Sequence, residues 1–160
     1  MSTEKTVAST MKYGLLIAAI IIVVRIILEL LGAPAFVNSI FGVAWIYLIM
    51  PVVFGFVITG AGMAGPMKVL FKNVLLFAVY TRIMVMITYM LAYIFKWTAP
   101  RFSFAQGGGN VGENVNALNG LLLIPMRNLV LWVVFAVIVG MIIGGITIWL
   151  RKITRKSVPA

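Results

Sequence analysis

The sequence contains no cysteine and no histidine, and its acids are limited to three glutamates, Glu4, Glu29 and Glu113. Disulfides, thiolate or imidazole metal sites, His-ligated haem and Ser-His-Asp or Cys-His catalytic centres are therefore excluded. Catalysis by paired carboxylates needs two acids close together, and only Glu29 lies in an apolar segment. We expect a protein that is not an enzyme and that binds neither a metal nor a cofactor.

The sequence is rich in long apolar runs instead. Hydrophobic residues make up 63% of the chain, whereas a soluble domain is about 45–50% apolar. Runs of about 20 apolar residues are long enough to cross a bilayer as helices. We predict an all-α fold with a single domain of four transmembrane helices, at about 13–31, 40–59, 69–95 and 126–150. The remaining segments are a short, loosely ordered N-terminal segment (1–12), an outer loop (97–124) and a basic tail (151–160).

The formal net charge of +10 comes mostly from basic residues that flank the apolar runs. This placement favours contacts with lipid phosphates, and we expect no nucleic-acid partner. One side of the predicted membrane has eight basic residues and the other has Lys96, Arg101 and Arg127. The positive-inside rule therefore places both termini in the cytoplasm and the protein in the cell (inner) membrane. The residues predicted to contact anionic lipid headgroups are Lys68, Lys72, Arg151, Lys152, Arg155 and Lys156.

The outer loop is long for a connector, which indicates that part of it is folded. Asn110 followed by Glu113 resembles a helix capping box. Apolar residues then recur every three or four positions, and Gly120 provides a C-terminal stop. We predict a short amphipathic helix at about 111–119 on the outer surface, preceded by a plain glycine linker at 107–109.

Ionisable groups inside the spans are costly in hydrocarbon, so each needs a partner, water or the protein interior. Three are found, Arg25, Glu29 and Arg82. Arg25 and Glu29 lie one helical turn apart, and side chains lean towards the helix N-terminus, which brings Glu29 towards the depth of Arg82. We predict that Glu29 bridges both arginines and joins the first helix to the third. One arginine is then in excess; it is either satisfied within the fold or part of an anion, lipid-headgroup or partner site.

Other polar side chains accompany Arg82 on the third span. Such residues can line a hydrophilic cavity, although Thr and Tyr in a span more often form hydrogen bonds between helices. The residues that we consider as a possible cavity lining are Asn73, Tyr80, Thr81, Thr88, Tyr89 and Tyr93.

Small residues predict where helices pack closely. Gly140 and Gly144 form a G-x-x-x-G motif in the fourth span, and Gly145 is adjacent. Gly55 and Thr59 in the second span are the expected small partners. The motif leaves open whether the neighbouring helix belongs to this chain or to another.

Three classes of function follow from these observations. The first is an accessory or structural subunit that acts by helix–helix association in a membrane homo-oligomer or hetero-oligomer. The second is a small channel or transporter whose path or anion site is lined by the Arg82 face. The third, a lipid-active enzyme, is disfavoured by the missing Asp, His and Cys residues.

Overall fold

The computed structural model describes residues 3–156. Four of its helices are long and apolar enough to cross a membrane, which confirms the predicted all-α class and indicates a multi-pass membrane protein. In chain order the helices are α1 (Thr3–Leu30), α2 (Ala35–Ile40), α3 (Ala44–Gly60), α4 (Pro66–Phe95), α5 (Phe104–Gly107) and α6 (Ile124–Lys156), with a π turn (Asn119–Leu123) directly before α6. Among the described residues, extended pairing is limited to an isolated bridge between Ser103 and Val111.

The first and last spans extend beyond their predicted limits. α1 begins at Thr3, so the N-terminal segment that we predicted as loosely ordered is helical from this residue, and α6 continues through the basic tail to Lys156. Neither extension contains proline or glycine, so nothing in the local sequence stops the helix. Val7 is buried, which adds tertiary packing to the first extension. Residues 1–2 and 157–160 lie outside the described residues.

The second predicted span is interrupted near its start. α2 ends at Ile40 and α3 begins at Ala44, with a turn in which the Gly42 N–H donates to the Ser39 carbonyl at 3.0 Å. A Cβ at Gly42 would lie 2.9 Å from the Ser39 oxygen, so the turn needs glycine. The predicted continuous helix from residue 40 is therefore wrong at its N-terminal end.

Glycine defines the end of α1 and thereby places Glu29 in its last turn. Gly32 has a φ of 75° and donates its N–H to the Glu29 carbonyl at 3.2 Å. The Ala33 N–H donates to the Leu28 carbonyl at 2.9 Å. These two bonds form a Schellman motif, which ends the helix and turns the chain away. Glu29 thus lies where the helix dipole disfavours a negative charge, so its carboxylate needs cationic partners.

The outer loop contains a short helix, but not where the sequence predicted it. The helix is α5, whereas residue 111 forms the isolated bridge, residues 112–114 form a bend and a turn, and residues 115–116 have no regular structure. Asn116, and not Asn110, caps the following helix, because its Oδ1 accepts the N–H of Asn119 at 2.9 Å. The prediction of a helix at 111–119 is therefore wrong.

Gly120 does not stop a helix, contrary to the prediction. It lies in the π turn before α6, and a Cβ at this position would lie 2.1 Å from the Tyr93 ring. The glycine therefore permits close contact with Tyr93. The helical backbone runs on through Pro125, so the fourth span begins before the predicted residue 126.

The described chain divides into two compact units. Unit 1 contains Met1–Ala18, Val43–Ala78 and Val134–Ala160, and unit 2 contains Ala19–Gly42 and Val79–Val133. Arg25, Glu29 and Arg82 belong to unit 2 together with the outer loop, whereas the glycine motif of the fourth span belongs to unit 1. The single four-helix domain stays a prediction.

Candidate functional site

The centre of the site in unit 2 is the Glu29 carboxylate, which holds two arginines. Arg25 donates from Nε to Oε1 of Glu29 at 2.9 Å, one turn earlier in α1. Arg101 places its Nε 2.9 Å from the other oxygen, Oε2. The Glu29 side chain is only 4% exposed. We predicted Arg82 in the second position, but the structure places Arg101 from the outer loop there.

The backbone around Arg101 explains how a loop residue reaches this position. Phe102 is fully buried, in T-shaped contact with Tyr89 at 5.2 Å and tilted against Trp97 at 5.6 Å. The Arg101 guanidinium carbon lies 4.4 Å from the centroid of the Phe102 ring. Burial of this aromatic side chain therefore holds the neighbouring Arg101 in place beside Glu29.

Arg101 is held mainly by charge and not by ideal hydrogen bonds. Among the described residues, neither its Nε nor its Nη2 has a partner with hydrogen-bond geometry, although the Nε lies at ion-pair distance from Glu29. Burial lowers the pKa of Arg101 from its ordinary value, and the Glu29 charge partly offsets this effect. An arginine nevertheless stays charged at neutral pH. Its buried charge therefore depends on the Glu29 carboxylate.

Arg82 is buried by a different set of contacts from those around Glu29. It is 9% exposed, and its guanidinium carbon lies 4.5 Å from the centroid of the Trp132 ring. A cavity of about 20 Å³ adjoins it and is also bordered by Tyr89 and Asn128. A water molecule needs roughly 10–15 Å³ of such volume, so the cavity has room for about one water.

Most residues of the predicted polar lining that belong to unit 2 form other contacts and do not line a cavity beside Arg82. Of the residues proposed, Tyr89 alone borders the cavity beside Arg82 in the described part of the chain. Thr81 and Thr88 are buried, and the Thr88 hydroxyl donates to the Val85 carbonyl at 2.7 Å. Tyr93 donates its hydroxyl to the Val115 carbonyl at 3.1 Å.

Two further residues of the predicted lining lie away from the cavity beside Arg82. Tyr80 is 49% exposed and does not border that cavity in the described part of the chain. The reason is geometric: two residues correspond to about 200° around a helix, which places Tyr80 opposite Arg82. Asn73, in unit 1, borders a different cavity, of about 640 Å³, and is buried, with its Nδ2 donating to the Val69 carbonyl at 2.7 Å.

A second buried polar contact fixes residues 97–118 of the outer loop, which we call the outer cap. Asn110 is fully buried and donates from Nδ2 to the carbonyls of Tyr89 at 2.6 Å and Gly120 at 2.7 Å. In the π turn, the Ile124 N–H pairs with the Asn119 carbonyl. By the same register Pro125 would pair with Gly120, but proline has no N–H. The Gly120 carbonyl is therefore left for Asn110.

The glycine run of the outer cap is part of its folded structure and not a plain linker. Gly108 ends α5 with a φ of 64°. A Cβ on Gly109 would lie 2.2 Å from the Phe102 carbonyl oxygen, so this approach requires glycine. The Val111 N–H donates to the same Phe102 carbonyl, and the Phe104 N–H donates to the Val111 carbonyl, both at 2.8 Å.

The glycine motif of the fourth span makes its contacts within unit 1. A Cβ on Gly55 would lie 2.9 Å from the Thr147 side chain and 3.2 Å from the Gly144 carbonyl oxygen. A Cβ on Gly144 would lie 3.0 Å from the Pro51 carbonyl oxygen. Gly140 is similarly close to the side chains of Val74 and Pro51, and Thr59 donates its hydroxyl to the Gly55 carbonyl at 2.7 Å. The neighbours of these glycines thus belong to this chain.

The basic residues predicted to contact lipid border two cavities of unit 1. Lys72 borders a cavity of about 640 Å³ with the start of α1, and Arg151 and Lys152 border one of about 400 Å³ with the turn before α4. Arg151 also lies over the Phe56 ring at 4.7 Å. Lys68 is exposed, and the side chains of Arg155 and Lys156 lie outside the described residues.

Sequence reasoning missed Arg101, Asn110 and Trp132 as contributors to the site. The sequence alone places Arg101 on the outer surface, because it lies in a connection between spans. Two signals pointed towards it: the length of that connection, and the single acid available within the spans. The sequence pattern indicates Asn110 only as a helix cap, since its distant carbonyl partners are set by tertiary structure.

Comparison with protein-family models, curated proteins and solved structures finds no match to this chain.

Proposed function

We propose that this protein is an accessory or structural subunit of a membrane oligomer, which acts through helix–helix association and not through chemistry or transport. The proposal places it in the cell (inner) membrane with both termini in the cytoplasm and its outer cap on the opposite side. Anionic lipid headgroups are its expected partners at the cytoplasmic face, where the basic residues flank the spans.

The observation that carries this proposal is the enclosure of Arg82. A charged side chain within a span costs free energy unless it faces water or a partner. In transport proteins such charges line water-filled paths. Arg82 instead lies against Trp132 and beside a cavity of about 20 Å³, with room for about one water. This arrangement supports a role for the charge in holding helices together.

The outer cap supports the same proposal. An ion pair at Glu29 and the two hydrogen bonds from Asn110 fix the cap at several points. Such a cap presents a defined surface outside the spans, which a subunit can use to contact another protein. A connector with no role would not need buried polar contacts of this kind, because each costs desolvation unless it is fully satisfied.

The alternative is a channel or transporter with an anion site on the Arg82 face. One observation favours it: unit 2 holds Arg25, Arg82 and Arg101 with Glu29 as the acid that pairs with two of them. Surplus positive charge of this kind attracts anions. A lipid-active enzyme is the weakest alternative, because the sequence contains no Asp, His or Cys residue.

Flux and co-purification together test the proposal. The chain is reconstituted in liposomes, and chloride and phosphate efflux are measured for the native protein, for Arg82→Gln and for the exposed control Arg127→Gln. We expect all three to match empty liposomes, and we expect the native chain to elute as a stable oligomer or complex in mild detergent. Efflux that the folded Arg82→Gln variant loses and Arg127→Gln retains would establish the alternative.

A further inference from the structure

Tyr80 carries a polar group in the apolar surface of α4. Its side chain is 49% exposed, and no hydrogen bond of its hydroxyl is found among residues 3–156. It lies eight residues beyond Lys72, hence about 12 Å along the helix at about 1.5 Å per residue. That depth is within the hydrocarbon region if Lys72 lies at the interface. A hydroxyl without a partner is costly there, because no water replaces the missing hydrogen bond.

The residues that share this face with Tyr80 form one continuous stripe. They follow it at spacings of three, four, four and three residues, which keeps them on one side of a helix. All are large and exposed in the chain: Ile83 at 40%, Ile87 at 49%, Leu91 at 37% and Ile94 at 58%. Lys72 and Lys68 lie about 80° and 120° away around the helix, so the stripe itself carries no charge.

We propose that a second copy of this chain covers this stripe, in a parallel two-fold dimer in which the two Tyr80 hydroxyls hydrogen-bond to each other. The inference rests on the proposed function, since it names the partner of the helix–helix association. All copies insert in the same orientation, so identical residues of two parallel copies meet at the same depth.

The chemistry of Tyr80 favours a second copy over another partner. A phenolic hydroxyl is both donor and acceptor, so one Tyr80 can donate while the other accepts. A two-fold interface brings each residue near the axis against the same residue of the other copy. The Tyr80 hydroxyl of one copy therefore meets the Tyr80 hydroxyl of the other. A different protein would need a polar group of its own at this depth. The absence of charge on the stripe removes the repulsion that a parallel pair of like helices would otherwise meet.

Cross-linking through single cysteines tests the dimer, because the native chain contains no cysteine. Ile87→Cys places a thiol on the stripe, and Ile138→Cys places one at an exposed isoleucine of α6 as the matched control. We expect a membrane-permeant oxidant to convert Ile87→Cys into a covalent dimer and to leave Ile138→Cys monomeric. Equal cross-linking of the two variants would indicate random collision and would overturn the proposal, as would no cross-linking of either.

Removal of the hydroxyl tests the role of Tyr80 itself. Tyr80→Phe keeps the ring and should lower the dimerisation constant about three- to thirty-fold, the range for one hydrogen bond between helices in a membrane. The fold should be unaffected, because the hydroxyl has no partner within the described chain. An unchanged dimerisation constant would refute the hydrogen bond.

The same preparations separate this inference from the proposed function. A native chain that elutes with a different protein, and loses it on Tyr80→Phe substitution, would overturn the homodimer but leave the subunit proposal standing. A native chain that stays monomeric and alone on dilution from membranes would overturn both.

Discussion

Replacement of Glu29 by glutamine tests whether the ion-pair cluster holds the outer cap. Glutamine keeps the size of the side chain but removes the charge that Arg25 and Arg101 share at 2.9 Å each. Both arginines would then be partly buried without their counterion. The Arg101 side chain is 17% exposed and has little room to turn towards solvent, whereas that of Arg25 is 25% exposed and has more.

The loss of one member of a buried ion pair costs about 3–5 kcal/mol. The partial exposure of Arg25 favours the lower end, so we expect about 3 kcal/mol, or roughly a hundredfold change in the unfolding equilibrium. A second substitution sharpens the expectation. Arg101→Gln should be destabilising alone but should partly rescue Glu29→Gln, because it removes the charge that the first substitution leaves uncompensated. We expect a coupling of about 1–3 kcal/mol between the two positions.

Thermal unfolding in mild detergent measures the stability of each variant, and hydrogen exchange measures opening of the outer cap. Glu113→Gln is the matched control, because Glu113 is exposed and lies in no ion pair among the described residues. We expect Glu29→Gln to speed exchange across residues 97–118 by up to about a hundredfold. Glu113→Gln should leave exchange and unfolding temperature unchanged.

Two results would refute this reasoning. Equal unfolding temperatures for Glu29→Gln and Glu113→Gln would show that the carboxylate does not support the fold. Strictly additive effects of Glu29→Gln and Arg101→Gln would show that the two side chains are not coupled, whatever their distance in the structure.

Two further substitutions test the packing and the cap. Gly144→Ala should cost about 1–3 kcal/mol in thermal unfolding, because its Cβ would lie 3.0 Å from the Pro51 carbonyl oxygen. Gly145→Ala is the control and should be tolerated, since the atom nearest to its Cβ would lie at 3.4 Å. Equal costs of the two substitutions would contradict this packing. Asn110→Ala should cost about 1–3 kcal/mol and release the outer cap to proteolysis, because it leaves the buried Gly120 carbonyl without its donor and removes the hydrogen bond to the Tyr89 carbonyl. Asn114→Ala, at an exposed position, is the control, and equal proteolysis of both variants would show that Asn110 does not anchor the cap.

The parts of the fold that the sequence predicted are those set by local composition. Four apolar runs gave four helices, because a run of that length and hydropathy has few other stable forms. The boundaries were less accurate where the chain lacked a breaker, as before Tyr13. The position of Tyr80 opposite Arg82 also follows from the helical period alone.

The outer cap shows why the remaining predictions failed. Asn110 and Asn116 both have the side chain of a helix cap, and a local pattern does not choose between them. The choice depends on the Gly120 carbonyl, which Pro125 leaves without an N–H partner and to which Asn110 donates. The cap position is therefore decided by a contact between separate segments.

The sequence by itself determined that this protein has four apolar helices, one acid within its spans and no thiol or imidazole chemistry, because these are properties of composition and of short segments. The tertiary structure alone decided which arginine takes the second oxygen of Glu29. Arg101 lies far from Glu29 along the chain, and burial of Phe102 beside it brings it there. An ion pair between distant residues depends on how the intervening chain folds, and no periodicity or spacing encodes it.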